Sequence, residues 1–167
     1  AMMLAATKQA LLATDAPQIL DLATGPGEPA VMIAKALPGA AVTASDVSED
    51  MIAKTEARIE AAGVTSNCKA ALMSFEDLGR VPSDSVDVVT CCYGYMFAGD
   101  MPKAFAETYR VLKPGGALVM THWKDVAFMR LEAEDIVGQF FRYLNRMGIG
   151  AVKQSVTAHF NIGVLAD

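Results

Sequence analysis

Ile19-Leu20-Asp21-Leu22-Ala23-Thr24-Gly25-Pro26-Gly27-Glu28-Pro29-Ala30 decides how this chain is read. An apolar run holding one acid, then two glycines one residue apart, describes a buried strand that breaks sharply into a helix. Gly25 and Gly27 carry no Cβ and reach positive φ cheaply, so a ligand can approach the backbone there. Pro26 lacks an amide hydrogen and stiffens the loop, while Pro29 suits the first turn of the succeeding helix. The turn predicts a resting place for a nucleotide-like ligand, facing the amides at the helix start. Many α/β proteins share a Gly-x-Gly turn, so its meaning depends on the parts that the rest of the chain supplies, and on their order.

A second acid arrives 25 residues after Asp21, a spacing associated with ribose recognition. Ala41-Val42-Thr43-Ala44-Ser45-Asp46 reads as a short strand ending in a carboxylate at its tip. Such a group can accept both ribose hydroxyls in charge-assisted bonds worth about 1.5–3 kcal/mol each. Ser48 then caps an amphipathic helix with Glu49 and Asp50 in its first turn, where acids complement the helix dipole.

Strands and helices alternate along the rest of the chain, the pattern of a parallel sheet covered by helices on both faces. A leading helix is expected over Met3–Thr14, then a strand at Gln18–Leu22 and a helix at Pro29–Leu37. The strand Ala41–Ser45 and the helix Glu49–Ala62, stopped by Gly63, come next. Asn67–Leu72 reads as a third strand, Glu76–Leu78 as a short turn, and the apolar run Val86–Cys92 as a central strand. A helix at Met101–Leu112, a fifth strand at Ala117–His122 and a long helix at Arg130–Met147 complete the order. Ile136, Val137, Phe140, Phe141, Leu144 and Met147 form a core stripe on that last helix.

Composition sets the outer limits. A chain of 167 residues is expected to make a single domain spanning 1–167 with a substantial core. It is 53% hydrophobic and 20% charged, which suits a sheet buried on both faces. No apolar run approaches the roughly 18 residues of a membrane span, and no signal-peptide arrangement is present. A net charge of −5 argues against broad binding to nucleic acid. Cys68, Cys91 and Cys92 form neither a paired framework nor zinc spacing, which points to a reducing, cytoplasmic setting and no metal. Cys91 and Cys92 face opposite sides of a strand and read as small core residues.

One further stretch, Arg110-Val111-Leu112-Lys113-Pro114-Gly115-Gly116, precedes the fifth strand. Together with Asp21-Leu22-Ala23-Thr24-Gly25-Pro26-Gly27, Asp46 and Val86-Asp87-Val88-Val89, it makes the chain resemble the class I S-adenosylmethionine-dependent methyltransferases. The resemblance runs from about Ile19 to Trp123, with two departures. Ala23 stands where the family often has its first glycine, and Ser74 stands where an adenine-binding Asp is common. It implies a doubly wound, Rossmann-like α/β fold. The C-terminal edge strands should be short or incomplete, because Ala151–Asp167 leaves room for one strand near Val152–Phe160 and a stub at Ile162–Leu165.

The same resemblance implies S-adenosyl-L-methionine as cofactor and a small-molecule methyl acceptor as partner. The methionine part of the donor would lie along Asp21–Gly27, passing Ala23, Gly25 and Gly27, with Asp21 facing its ammonium. Ribose would go to Asp46 and adenine to Met73, Ser74 and Phe75, the Ser74 hydroxyl replacing the usual carboxylate. Glu76 and Asp77 read as solvated turn acids. Cys92 and Tyr93 lie at the same edge; Tyr93 is assigned to binding, and Tyr95 is left between binding and packing. His122 is the candidate general base for a protonated acceptor, with a structural strand-end role equally open; His159 reads as structural.

Narrower chemistries are disfavoured. Cys91-Cys92-Tyr93-Gly94 is unlike the Asn-Pro-Pro-Tyr segment of amino-methylating enzymes, and no cysteine follows a proline as cytosine-carbon methylation requires. Three functions stay compatible with the residues: a methyltransferase, a nicotinamide-dependent oxidoreductase using the same glycine turn and Asp46, and a non-catalytic donor-binding module.

Overall fold

The glycine turn follows β1 (Gln18–Leu22), which among the described residues is the middle strand of a five-stranded parallel sheet in the order β3-β2-β1-β4-β5. The computed structural model describes residues 2–11 and 15–121, all within the unit Ala1–His122. The other elements in chain order are α1 (Met2–Ala10), α2 (Ala30–Ala36), β2 (Ala41–Asp46), α3 (Glu49–Ala62), β3 (Cys68–Leu72), β4 (Val86–Cys92), a 3₁₀ turn at Tyr95–Phe97, α4 (Met101–Val111) and β5 (Leu112–Thr121). Strand order reverses between β1 and β4, so their carboxyl ends diverge into the crevice where open α/β sheets bind ligands. The doubly wound parallel fold expected from the alternating pattern is therefore present.

Alternation along each strand divides the core between the two faces. Ile19, Val42, Ala44 and Cys68 point to one side, against Ile33 and Ala34 of α2 and Ile59 of α3. Leu20, Leu22, Val89 and Cys91 point to the other, against Leu78, Tyr95 and the α4 residues Ala104 and Val111. Local chemistry sets the helix ends. The Ser48 side chain accepts from Met51 N, and Gly63 closes α3 at φ 68°. Asp100 caps α4 by accepting from Lys103 N at 3.0 Å.

Several boundaries differ from the sequence expectation. β3 starts at Cys68 because the Asn67 amide is committed to a turn, donating to Val64 O, while the Asn67 side chain donates to the Ala34 and Leu37 carbonyls at the end of α2. The leading helix ends at Ala10, and Pro29 stands just before α2 as its cap residue. The 3₁₀ turn after β4 has no counterpart in the sequence pattern. The expected helix Arg130–Met147 and the strands beyond Ala151 lie outside the described residues, as does much of the expected single domain. No described helix is long and apolar enough to cross a membrane.

The largest difference is β5, which starts at Leu112 rather than Ala117. Val86 pairs with Leu112 and Val88 with Ala117, so Lys113-Pro114-Gly115-Gly116 bulges out of a strand that resumes beyond it. Gly116 permits this: a Cβ there would stand 2.9 Å from Lys113 O and 3.0 Å from Asp87 O. Lys113 Nζ donates to both Asp87 carboxylate oxygens at 2.8 Å, and Asp87 also accepts from Gln18 N. This clasp joins β1, β4 and β5 at their amino ends, the far side of the sheet from the glycine turn.

No helix connects β3 to β4; residues 73–85 form a loop fastened by Arg110. Its guanidinium donates to the Leu78 and Val81 carbonyls, each at 2.9 Å, and to both Glu107 carboxylate oxygens. Glu107 in turn accepts from Leu78 N. Hydrogen bonding to Arg110 holds the Glu107 carboxyl well down, at about 2. A carboxyl lowered on folding adds stability above its ordinary range and loses it as pH falls from about 4.5 toward 2. Arg110→Lys keeps the charge but loses the planar fork, and should cost about 2 kcal/mol in urea unfolding at pH 7. The difference from the parent protein should shrink in that acid window; equal stabilities at pH 7 would count against the clasp.

Candidate functional site

Strand alternation sends Asp21 to the same side of β1 as Ile19, into a setting where its carboxyl is fully buried. Its Oδ1 accepts from Thr90 Oγ1 at 2.5 Å, from the neighbouring position of β4. Asp21 Oδ2 makes no hydrogen bond among the described residues, nor does the buried Thr24 Oγ1. Burial pushes the Asp21 carboxyl up to about 6, opposed by the nearby Thr24 and Thr90 hydroxyls and the Ala30 amide, of which the Thr90 hydroxyl alone reaches hydrogen-bond geometry among the described residues. Buried polar atoms are nearly always paired, so an orphaned acceptor and hydroxyl three residues apart beneath a glycine turn point to a ligand.

The turn itself is left-handed at Ala23, Gly25 and Gly27, with φ of 51°, 56° and 99°. A Cβ on Gly25 would meet nothing within 4 Å, whereas one on Gly27 would touch Thr55 and Arg58 of α3. Gly25 thus borders open space and Gly27 borders protein. The amides of these two residues are committed within the protein. Gly25 N donates to Asp46 Oδ2 at 2.9 Å and Gly27 N to the Thr24 carbonyl at 3.1 Å. What the turn offers is room and a nearby buried acid.

Asp46 ends β2 with its two carboxylate oxygens accepting from Gly25 N and Ser48 N. These bonds fix its rotamer and tie the glycine turn to the tip of the second strand. A carboxylate has about four acceptor sites, so two stay available for hydroxyl donors.

At Ala23 the departure from the family pattern carries a backbone cost. A left-handed L-residue costs about 1–2 kcal/mol, which glycine avoids. Ala23→Gly should therefore raise stability by about 0.5–1 kcal/mol in thermal or urea unfolding; a loss would mean that the Ala23 methyl contributes more by packing. That methyl does meet the next strand tip, since a Cβ on Gly94 would stand 2.6 Å from both Ala23 Cβ and Cys91 Sγ.

Apolar side chains rim the same edge. Val47, Leu72, Tyr93 and Phe97 are 65%, 45%, 38% and 63% exposed, and they follow or end β2, β3 and β4. Among the described residues, the other large exposed hydrophobics are Met2 and Tyr109, so the apolar exposure concentrates where the sheet's crevice lies. Tyr93 adds a second strained backbone, at φ 56°. Such strain gathers at functional sites.

The other expected residues divide. Met73 N donates to the Asp46 carbonyl, which brings the loop after β3 to the site. The Met73 and Phe75 side chains, however, pack against the second core face, with the Phe75 ring 5.6 Å from that of Tyr95. Ser74 Oγ accepts from Glu76 N at 3.1 Å, leaving its hydroxyl proton to donate. Cys92 is half-buried, and its Sγ accepts from Thr121 Oγ1. Tyr95 belongs to the core: it stacks on Phe105 at 4.7 Å and its hydroxyl bonds Thr108 Oγ1 at 2.6 Å. Glu76 is not a solvated turn acid, because its carboxylate accepts from Gly99 N and Asp100 N. His122 lies outside the described residues. No described group of His, Cys, Asp and Glu could hold a metal.

Thr24, Thr90, Val47 and Leu72 join the site without standing out in the sequence. The signal for Thr90 is a lone hydroxyl in the apolar run of β4; for Val47 it is an apolar residue placed between a strand-tip acid and a helix cap.

A parallel sheet, a glycine turn over a buried acid with one oxygen unpaired among the described residues, and a second acid at the next strand tip define a nucleoside-type site. Residues 19–116, more than half of the chain, match the family model described as a methyltransferase domain. The chain belongs to this family, the class I S-adenosylmethionine-dependent methyltransferases. It is 38% identical over 104 residues to the demethylmenaquinone methyltransferase of Thermus thermophilus, covering 62% of this chain and 46% of that one. It is 31% identical over 144 residues to the ubiquinone/menaquinone biosynthesis C-methyltransferase UbiE of Desulfotalea psychrophila, covering 86% and 54%. The chain thus spans about half the length of these curated relatives. Among solved structures, it resembles a geranyl diphosphate methyltransferase in complex with GPP and sinefungin, at a TM-score of 0.67 and 18% identity over 87% of this chain and 52% of that one. It also resembles the YcgJ protein of Bacillus subtilis, at 0.66 and 24% over 87% and 58%. At these identities the likeness is one of fold.

Proposed function

We propose that this chain binds S-adenosyl-L-methionine across the carboxyl ends of β1, β2 and β4 and transfers its methyl group to a ring carbon of a quinone-type small molecule. The observation that carries the donor site is the fully buried Asp21 carboxylate, with one oxygen unbonded among the described residues, beneath a turn whose Gly25 faces open space. The acceptor class is supported by the names of the relatives and by the exposed Tyr93 and Phe97 in the segment that follows β4.

The donor supplies a methyl group already activated by its sulfonium. The chain's own residues have to hold two reactants in line and exclude water, a positioning effect that can approach 7–11 kcal/mol. Asp21 and Thr24 receive the ammonium end, and Asp46 receives the ribose hydroxyls through its two free acceptor sites. Val47 and Leu72 flank the base, with the Ser74 hydroxyl in reach of the adenine edge. Tyr93 faces the sulfonium or the acceptor ring, where cation–π attraction is worth about 0.5–2 kcal/mol. His122 is proposed as the base that takes a ring-hydroxyl proton, which raises electron density at the carbon to be methylated.

Calorimetric titration with S-adenosylhomocysteine, S-adenosylmethionine and NAD tests the donor assignment. Micromolar or tighter binding of the first two, with none of NAD, is the expected result. Binding of NAD alone would replace the proposal with the dehydrogenase alternative. Release of S-adenosylhomocysteine in the presence of reduced quinones then tests turnover, and donor binding without any turnover would favour a binding module.

A further inference from the structure

Two neighbouring side chains of the loop leaving β3, Phe75 and Glu76, hold the segment leaving β4. Glu76, half-buried in the loop after β3, accepts from Gly99 N at 2.5 Å and from Asp100 N at 3.2 Å through the same oxygen. Those two amides end the segment after β4, which carries Tyr93, the 3₁₀ turn and the exposed Phe97. Asp100 in turn caps α4 through Lys103 N. Glu76 therefore sets where that segment finishes and where α4 begins.

Its own backbone is held from the other side. Glu76 N donates to Ser74 Oγ, and Asp77 N donates to the Ser74 carbonyl, so the turn that aims Glu76 is built on the residue assigned to adenine. The neighbouring Phe75 ring packs against Tyr95 of the 3₁₀ turn. Two consecutive residues of one loop thus grip the other loop at two points, one apolar and one polar. Backbone amides bonded to a carboxylate form charge-assisted bonds, stronger than neutral ones.

We propose that Glu76 is a positioning residue: it couples the adenine side of the donor site to the segment after β4 that walls the acceptor side, so that filling the first orders the second. The proposal rests on the donor-site assignment above. Ordering travels by a rigid path, from Ser74 through the turn to Glu76 and on to the Gly99 and Asp100 amides. Glu76→Gln retains an acceptor oxygen at the same place and keeps the coupling in weakened form. Glu76→Ala removes it.

Amide hydrogen exchange at residues 95–100, with and without S-adenosylhomocysteine, reads this directly. In the parent protein the ligand should slow exchange of the Gly99 and Asp100 amides about fivefold or more. In Glu76→Ala that ligand-dependent slowing should vanish while S-adenosylhomocysteine affinity falls by less than about fivefold; in Glu76→Gln part of the slowing should return. Ligand binding without slowing at these amides in the parent protein overturns the coupling and leaves the donor site intact. Absence of ligand binding in the parent protein overturns both. Should Glu76→Ala fail to fold, the parent and Gln proteins decide: a Gln variant with no slowing or with full parental slowing shows that the carboxylate does not carry the coupling.

Discussion

Asp21→Asn is expected to make the ligand-free protein more stable at pH 7 while nearly abolishing donor binding. Burial raises the Asp21 carboxyl from 3.8 to about 6. A group raised on folding favours the folded state while it is protonated, below its unfolded value, and that advantage disappears as pH climbs through the folded value. Above about pH 6 the buried charge therefore opposes folding by about 3 kcal/mol, the free-energy equivalent of the gap between those two values. Asparagine keeps an oxygen for Thr90 Oγ1 and turns an amide toward the unbonded Thr24 hydroxyl, while shedding the charge. The urea midpoint should rise at pH 7, and the gap to the parent protein should close toward pH 4. Donor affinity should fall by at least about thirtyfold, because truncating one partner of a buried charge pair costs about 2–5 kcal/mol. Unchanged stability at pH 7, or unchanged affinity, would show that Asp21 does not hold the ammonium at the expense of the fold.

Gly25→Val should leave a folded protein with no measurable affinity for S-adenosylhomocysteine. The left-handed backbone at φ 56° costs any L-residue about 1–2 kcal/mol, and a β-branched one somewhat more. Among the described residues, its chain neighbours aside, nothing stands within 4 Å of the new Cβ, so the isopropyl group occupies the open space over the turn. Gly63→Val is the matched control. Gly63 is also left-handed, at φ 68°, with nothing within 4 Å of a Cβ, but it terminates α3 away from the strand tips. Both variants should lose similar stability in urea, and only the first should lose the ligand in calorimetry. Loss of affinity in both would point to strain; retention in both would remove Gly25 from the site.

The elements legible in the sequence are those with local causes. α3 is readable to its ends from the Ser48 cap, two acids and Gly63, and β4 from an unbroken apolar run. The meeting of Asp21, the glycine turn and Asp46 is implied by their order, since consecutive parallel strands bring their tips together. β5 is harder to delimit because Lys113-Pro114-Gly115-Gly116 looks like a terminator, whereas the strand pairs on both sides of it. Beyond Leu72 strand alternation ends, so nothing local tells that Met73 and Phe75 turn toward the core. The bonds of Glu76 escape a sequence reading because its partners lie more than twenty residues away and are backbone amides, which leave no trace in a pattern of side chains. The amides of Gly25 and Gly27 escape it for a related reason: Asp46 reads as a ligand for ribose, and it is also the acceptor that draws Gly25 N inward.

The clasp of Gln18, Asp87 and Lys113 sits at the opposite rim of the sheet from Asp21 and Gly25. On the proposed reading, cohesion and recognition fall to different ends of the same strands. The exposed Phe97 after β4 can then be exchanged to retune which molecule is accepted while the scaffold stays bolted, with Val47 and Leu72 kept for the donor's base. An engineer seeking a new acceptor has that segment to randomise, with the far rim left untouched as the foundation.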